Sequence, residues 1–248
     1  MIIQLRIADN IYSADLSKPL DLSIRLEGGS KNPRAWMDEN PRIYPVKTDS
    51  WEGSVASGAS VNFNNIWFNP HAHGTHTECV GHISEEALSI DRSLNNYFFL
   101  AQVVTVVPEG KRDDKVISAK QLRTVLKGVS AQAVVIRTLP NTASKKRARY
   151  RGTNWPYLEA AAARLLREKG IEHLLIDLPS VDKEQDQGKL AAHKAFWDYP
   201  DNPRTNATIT EFIYVSNRIA DGLYLLELQT APFVNDATPS RPVLYRLQ

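Results

Sequence analysis

His71-Ala72-His73-Gly74-Thr75-His76-Thr77-Glu78-Cys79-Val80-Gly81-His82 holds four of the chain's six histidines and a glutamate within twelve residues. At the chain's own frequency of 6 in 248, such a window would contain roughly 0.3 histidines. Neutral imidazole nitrogen together with anionic carboxylate oxygen is a donor set that suits zinc and manganese. The stretch is therefore predicted to supply half of a metal site, against the plainer reading of four polar residues in a loop.

Local geometry sorts the candidates. If Thr75 to Glu78 runs extended, His76 and Glu78 lie two residues apart and project from one face, so both reach one ion. His71 follows Pro70, where a turn brings a third imidazole back toward that face, and Gly74 gives the backbone freedom for the ligands to converge. His73 points the opposite way and is read as supporting the ligands rather than joining them. His82, beyond Gly81, is either a ligand or a free imidazole that moves a proton, and the second role is preferred.

Working outward, Ala101 to Val107, Ala133 to Arg137 and His173 to Leu178 are short apolar runs bounded by turn residues, as buried strands are. Tyr224 to Leu228 and Pro242 to Arg246 read as two more. Between Pro156 and Gly170, Leu158, Ala161, Ala162, Leu165 and Leu166 recur at helical spacing, which predicts a helix opened by a first-turn proline and stopped by a glycine. The first 70 residues, rich in Gly, Pro and Asn, read as strands and long loops. Strands alternating with a few helices indicate an α/β or α+β fold.

Asp177-Leu-Pro-Ser-Val-Asp182 directly follows a strand, where it either carries catalytic groups or caps a helix. His193 lies in the helical-looking stretch Leu190 to Trp197. Glu211, in Thr-Ile-Thr-Glu-Phe-Ile, reads as a first-turn carboxylate of a helix starting at Thr208 or Thr210. Tyr12, Trp36, Trp67 and Phe68 are either core or the walls of an aromatic pocket, Trp36 and Trp67 being the chosen substrate-binding candidates.

Asp21-Leu22-Ser23, the glycine-threonine-histidine stretch from Gly74 to Glu78 with His82, Thr138-Leu-Pro-Asn141, the segment His173 to Asp182, His193 and Thr210-Glu211-Phe212 together resemble the metal-dependent cyclases and kynurenine formamidase-like hydrolases. The resemblance covers most of the chain. It implies a single domain over 1–248 in the swivelling β/β/α, cyclase-like fold, with a central β-barrel-like sheet ringed by helices. It also implies one or two divalent ions, zinc or manganese, held by His71, His76, Glu78, His193 and Glu211, and a homodimer or homotetramer. Three departures stand out. The family's first histidine sits two residues before the glycine, where this chain has Ala72; its carboxylate is usually aspartate, here Glu78; and its proline is here Val80.

Composition sets the remaining expectations. The chain has 248 residues, 42% hydrophobic and 23% charged, enough to bury a substantial core. A net charge of +2 is too small to imply nucleic acid, and the basic run Lys145 to Arg151 reads as a solvated loop. No apolar run reaches the roughly 20 residues that span a bilayer, and the N-terminus lacks the order of a signal peptide, so a cytoplasmic protein without a membrane partner is expected. The single cysteine, Cys79, excludes an internal disulfide and is read as packing. The predicted activity is hydrolysis of a carbon–nitrogen bond in a small amide, formamide or cyclic amide by metal-activated water, with His82 carrying the proton. A lactone or ester hydrolase using the same site, and a non-catalytic metal-binding protein, are the alternatives.

Overall fold

The computed structural model describes residues 1–7 and 9–248. Nine strands form its main sheet, named here in chain order: β1 Leu20–Asp21, β2 His76–Glu78, β3 Phe98–Val106, β4 Ala133–Thr138, β5 His173–Ile176, β6 Thr208–Glu211, β7 Gly222–Glu227, β8 Ala237–Pro239 and β9 Val243–Arg246. Their spatial order is β8-β2-β6-β5-β4-β3-β7-β9-β1, curled into a half-barrel. The four central strands β3, β4, β5 and β6 are parallel to one another. Antiparallel pairing extends both flanks, β2 on β6 with β8 on β2, and β7 on β3 with β9 on β7 and β1 on β9.

Parallel strands must be covered on both faces, so they read as unbroken apolar runs rather than alternating ones. β4 shows this directly. Val134 and Ile136 point into one core with Val104, Leu174, Ile176, Leu166 and Trp197, whereas Ala133 and Val135 point into a second with Val103, Leu175, Leu226 and Leu244. The first core is closed by the helices α2 Ala119–Val125, α3 Ala160–Glu168 and α4 Ala191–Trp197, which follow the short α1 Ile90–Ser93. Two smaller hairpins lie outside the sheet, Ile2–Ile7 with Asn10–Asp15 and Arg42–Pro45 with Asn64–Trp67.

Each of the five expected strands is present within a few residues of its predicted bounds. The expected helix is present too, but it starts later and turns differently. Tyr157–Leu158 pairs as a short parallel strand with Val116 and Ile117, so Pro156 stands before that strand rather than in the helix's first turn. The helix therefore buries Ala162, Ala163 and Leu166, and Ala161 faces solvent. Gly170 ends the helical segment as expected, at φ 76°. Thr208 to Glu211 is strand, not helix: parallel pairing with β5 on one side and antiparallel pairing with β2 on the other overrides the capping pattern.

His173 opens β5 and is buried, its ring 3.9 Å from that of Phe99 and its Nδ1 2.9 Å from Thr208 Oγ1. Burial, with a contribution from nearby Arg204, lowers its pKa from 6.5 to about 4. The unfolded chain therefore takes up this proton first as the pH falls. Stability from this site is full above about pH 6.5 and declines as the pH drops toward 4, by an amount on the order of 3 kcal/mol. Urea unfolding at pH 7 and pH 4.5 should show this loss in the native protein and a smaller one in His173→Gln.

Candidate metal centre

The fold brings the histidine cluster to the carboxyl-terminal ends of the parallel strands, where open α/β sheets carry their ligands. β2 runs extended, so His76 and Glu78 share a face while Thr77 turns away to meet Thr210 Oγ1 at 2.8 Å. The register sets Glu211 directly opposite His76, with Nε2 and Glu211 Oε2 3.5 Å apart. The loop after β5 then carries Asp182, and α4 carries His193.

Glu78 is at the centre, with no exposed side-chain surface. Its Oε2 lies 3.1 Å from His71 Nδ1, 3.9 Å from His82 Nε2 and 4.0 Å from His76 Nε2. Its Oε1 lies 3.0 Å from His193 Nε2, which is itself 3.8 Å from Glu211 Oε1. His71, His76 and Glu78 place one ligand atom each within reach of a common ion, and Glu78, His82 and His193 form a second such group. The two groups share Glu78, whose Oε2 faces His71, His76 and His82 and whose Oε1 faces His193.

Two observations show that this donor set fits a cation. His76 Nε2 and Glu78 Oε2 are buried without a hydrogen-bond partner, in an interior where such atoms are rarely left alone. His76 Nδ1 lies 3.0 Å from the Gly74 carbonyl, so this nitrogen carries the proton and Nε2 presents its lone pair to the cluster. Gly74 itself sits at φ 150°, and Thr75 Oγ1 donates to the Phe212 carbonyl at 2.6 Å, fixing the segment that leads into β2.

Charges within the cluster offset the cost of burying them. Burial resists ionisation of Glu78, yet the imidazoles of His82, His193 and His71 hold its carboxyl well below the usual carboxylate range. Burial likewise opposes protonation of His71, but Asp236 and Glu78 push its pKa up to about 10. His193 is raised against the same desolvation by Asp182 and Glu78. Asp182 Oδ2 is 2.6 Å from His193 Nδ1, and the same carboxylate accepts the backbone N–H groups of Ala192 and His193, capping α4 while aiming its histidine. Glu211 is aimed in turn by the Val181 N–H, which donates to its Oε1 at 2.7 Å.

The structure thus gathers His71, His76, Glu78, His82, His193 and Glu211 at one place. His73 stands apart: Nδ1 accepts from the Asn69 N–H and Nε2 donates to the Glu39 carbonyl, so both nitrogens are engaged away from the cluster. Trp36 lines a cavity of about 420 Å³ that reaches His71, His82, His193 and Glu211. It stands edge-on to Trp155 at 4.8 Å and adopts φ 66°, a left-handed conformation of the kind that concentrates at functional sites. Trp67 does not line that cavity. Its ring packs against His73 and under the Arg42 guanidinium, because the Asn64–Trp67 strand pairs with Arg42–Pro45 outside the main sheet.

The segment after β5 divides between the two roles expected of it. Asp177 is buried structure, accepting from the Thr138 N–H and hydroxyl and from Lys145 Nζ at 2.7 Å. Lys145, expected in a solvated loop, is instead drawn inward by that carboxylate, while Lys146 and Arg147 remain exposed. Cys79 is buried, its thiol pKa raised by desolvation, and contacts the Leu88 carbonyl at 3.7 Å. The residue that sequence reading missed altogether is Asp236, whose Oδ2 is 2.8 Å from His71 Nε2 and 3.2 Å from His82 Nδ1. Nothing local to Asn235-Asp236-Ala237 signals this.

The sequence profile of the Cyclase family matches residues 14–183. The chain belongs to that family. It is 29% identical over 233 residues to a kynurenine formamidase of Bacillus cereus, covering 93% of this chain and 95% of the relative. A kynurenine formamidase of Geobacillus thermodenitrificans is 27% identical over 231 residues, covering 92% and 97%. Among solved structures, isatin hydrolase A of Labrenzia aggregata superposes with a TM-score of 0.67 at 14% identity, over 92% of this chain and 93% of that one. At that identity the likeness is one of fold.

Two outcomes follow for this family member. A Cβ on Gly81 would lie 2.1 Å from the Leu88 carbonyl oxygen, so backbone must move. Gly81→Ala should destabilise the chain by about 1–3 kcal/mol, read as a fall in melting temperature, and displace His82. Asp182→Asn should leave the fold intact and weaken divalent-metal binding about tenfold to a hundredfold, read by competition with a chromophoric chelator, because His193 loses the carboxylate that orients it.

Proposed function

We propose that the protein is a metal-dependent hydrolase that cleaves the carbon–nitrogen bond of a small amide, formamide or cyclic amide. The observation that carries this reading is the buried Glu78 carboxylate shared between two groups of imidazoles, with its Oε2 and His76 Nε2 left unpartnered. His71, His76 and Glu78 would hold one divalent ion, and Glu78 and His193, with Glu211 Oε1 3.8 Å from His193 Nε2, would hold a second. Zinc and manganese both suit these nitrogen and oxygen donors. When bound, such an ion lowers the pKa of water from about 15.7 toward 7 and polarises a carbonyl oxygen.

The chain's own residues then divide the work. His82 is partly open to the cavity, with Nδ1 held by Asp236 and Nε2 facing Glu78. It takes a proton from the attacking water at Nε2 and delivers it to the leaving nitrogen. Trp36 offers an aromatic wall, and the cavity volume of about 420 Å³ lies within the range of small-molecule sites. The cluster opens on this cavity, which favours a catalytic site over a closed structural one. The names of the relatives, a formamidase and an isatin hydrolase, supply the first substrates to try: an aryl formamide and isatin.

No helix among the described residues is long and apolar enough to cross a membrane. A cytoplasmic setting agrees with the single free cysteine. A homodimer or homotetramer is supported by Ile43, Tyr44, Phe63 and Ile66, which leave large apolar side chains exposed around the Arg42–Pro45 and Asn64–Trp67 hairpin.

The deciding measurement is metal content by plasma mass spectrometry on protein purified without chelator or affinity metal, paired with hydrolysis assays. One or two divalent ions per chain are expected, with the content falling in His76→Ala and Glu78→Gln. His82→Ala should retain the metal and lose turnover by about 10²–10⁴-fold. Protein that holds no metal and takes up none on reconstitution would sink the reading.

A further inference from the structure

Asp236 lies outside the residues matched by the family profile, 165 positions from His71 in sequence. The sheet puts it beside the cluster. β8 begins at the next residue and pairs antiparallel with β2, Ala237 opposite Glu78, and the Cys79 N–H donates to the Asp236 carbonyl at 3.0 Å. The Asn235 carbonyl accepts from Ile90, and the Asn235 side chain donates to the Ala237 carbonyl at 2.7 Å, so the turn that presents Asp236 is tied on both sides.

One oxygen, Asp236 Oδ2, contacts both imidazoles, whose rings stack with centroids 4.2 Å apart. An ionised carboxylate only accepts hydrogen bonds, so once a cation on the Glu78 side takes the inner nitrogen of each ring, the single proton left on that ring sits on the nitrogen that meets Asp236. In the metal-loaded site that would put the proton on Nε2 of His71 and on Nδ1 of His82. The opposite nitrogens, His71 Nδ1 and His82 Nε2, then face Glu78 Oε2 at 3.1 and 3.9 Å. His71 therefore presents Nδ1 to the cluster, whereas His76 presents Nε2. A ring turned this way needs an acceptor on its far side, and Asp236 is that acceptor.

We propose that Asp236 is a positioning residue that fixes, through one carboxylate oxygen, the tautomer and orientation of both His71 as a metal-holding imidazole and His82 as the proton-transferring one. The part concerning turnover rests on the hydrolase reading above; the part concerning metal affinity does not. The role matches the general rule that a histidine's outer nitrogen is held by a carboxylate or carbonyl when its inner one binds metal.

The test is a double-mutant cycle built on Asp236→Ala, with Asp236→Asn repeated if the alanine variant does not fold. Zinc affinity is read by chelator competition, kcat and KM on an aryl formamide at saturating zinc, and the imidazole tautomers by ¹⁵N spectra of the zinc-loaded protein. D236A should weaken zinc about tenfold to a hundredfold, lower kcat at least tenfold with little change in KM, and remove the Nδ1-protonated signal of His82. In an H71A background it should cause no further loss of affinity, and in an H82A background no further loss of kcat. Unchanged affinity and tautomers in D236A, or losses that add in full on those backgrounds as a direct metal ligand would produce, overturn the proposal. If the protein binds zinc but hydrolyses none of the substrates, the affinity and spectral arms still decide it. Protein that binds no zinc in any form overturns the hydrolase reading and the proposal together.

Discussion

The buried negative charge of Glu78 is the constraint around which this structure is organised. Moving a carboxylate out of water costs several kcal/mol even after relaxation, unless charged or hydrogen-bonding partners surround it. Here those partners come from four directions: His76 from the same strand, His71 and His82 from the loops on either side of it, and His193 from a helix. Each partner is held from behind by another group, Gly74 for His76, Asp182 for His193, and Asp236 for both His71 and His82. The result is a polar network set against a sheet whose strands β3 and β4 are largely apolar on both faces. Such a network is stable only when its members are satisfied, which makes the two unpartnered atoms informative.

The sheet explains why so short a motif acquires so many partners. β2 is not an edge strand, because β8 covers one side and β6 the other. Glu211 is brought opposite His76 by register alone, and Asp236 beside Glu78 by the start of β8. The parallel strands contribute their carboxyl-terminal loops, and the antiparallel flank contributes the ligand strand itself.

The parts of this arrangement that were legible in the sequence are those with a local period. The two-residue spacing of His76 and Glu78 specified a shared face, because side chains alternate along an extended chain, and the unbroken apolar runs of β3, β4 and β5 specified strands buried on both faces. The same alternation turned His73 away from that face and suggested a supporting role, whereas its nitrogens engage the Asn69 N–H and the Glu39 carbonyl instead. What escaped notice depended on pairing between distant segments. Thr208 to Glu211 carries the residues of a helix start, and only its neighbours in the sheet make it a strand. Trp36 and Trp67 are chemically equivalent candidates, and the hairpin that takes Trp67 away from the cavity is a tertiary fact. Phe212, directly after Glu211, is held at φ 53° in a region that a bulky side chain seldom enters, and no sequence pattern announces it.

The departures of this chain from the usual family motif make sense as a linked set. Glu78 extends its oxygens by one more bond than an aspartate would, about 1.5 Å, so the imidazoles that meet them must stand differently. His71, one residue N-terminal of the family's usual histidine position, turns Nδ1 toward the carboxylate. Position 72, left as alanine, is buried, and its carbonyl accepts from the Ala35 N–H next to Trp36. A ring that enters through Nδ1 leaves its outer nitrogen facing the β2–β8 edge, and Asp236 is the residue there that meets it. The longer carboxylate, the shifted histidine and Asp236 thus fit together geometrically, with one oxygen of Asp236 meeting both His71 and His82.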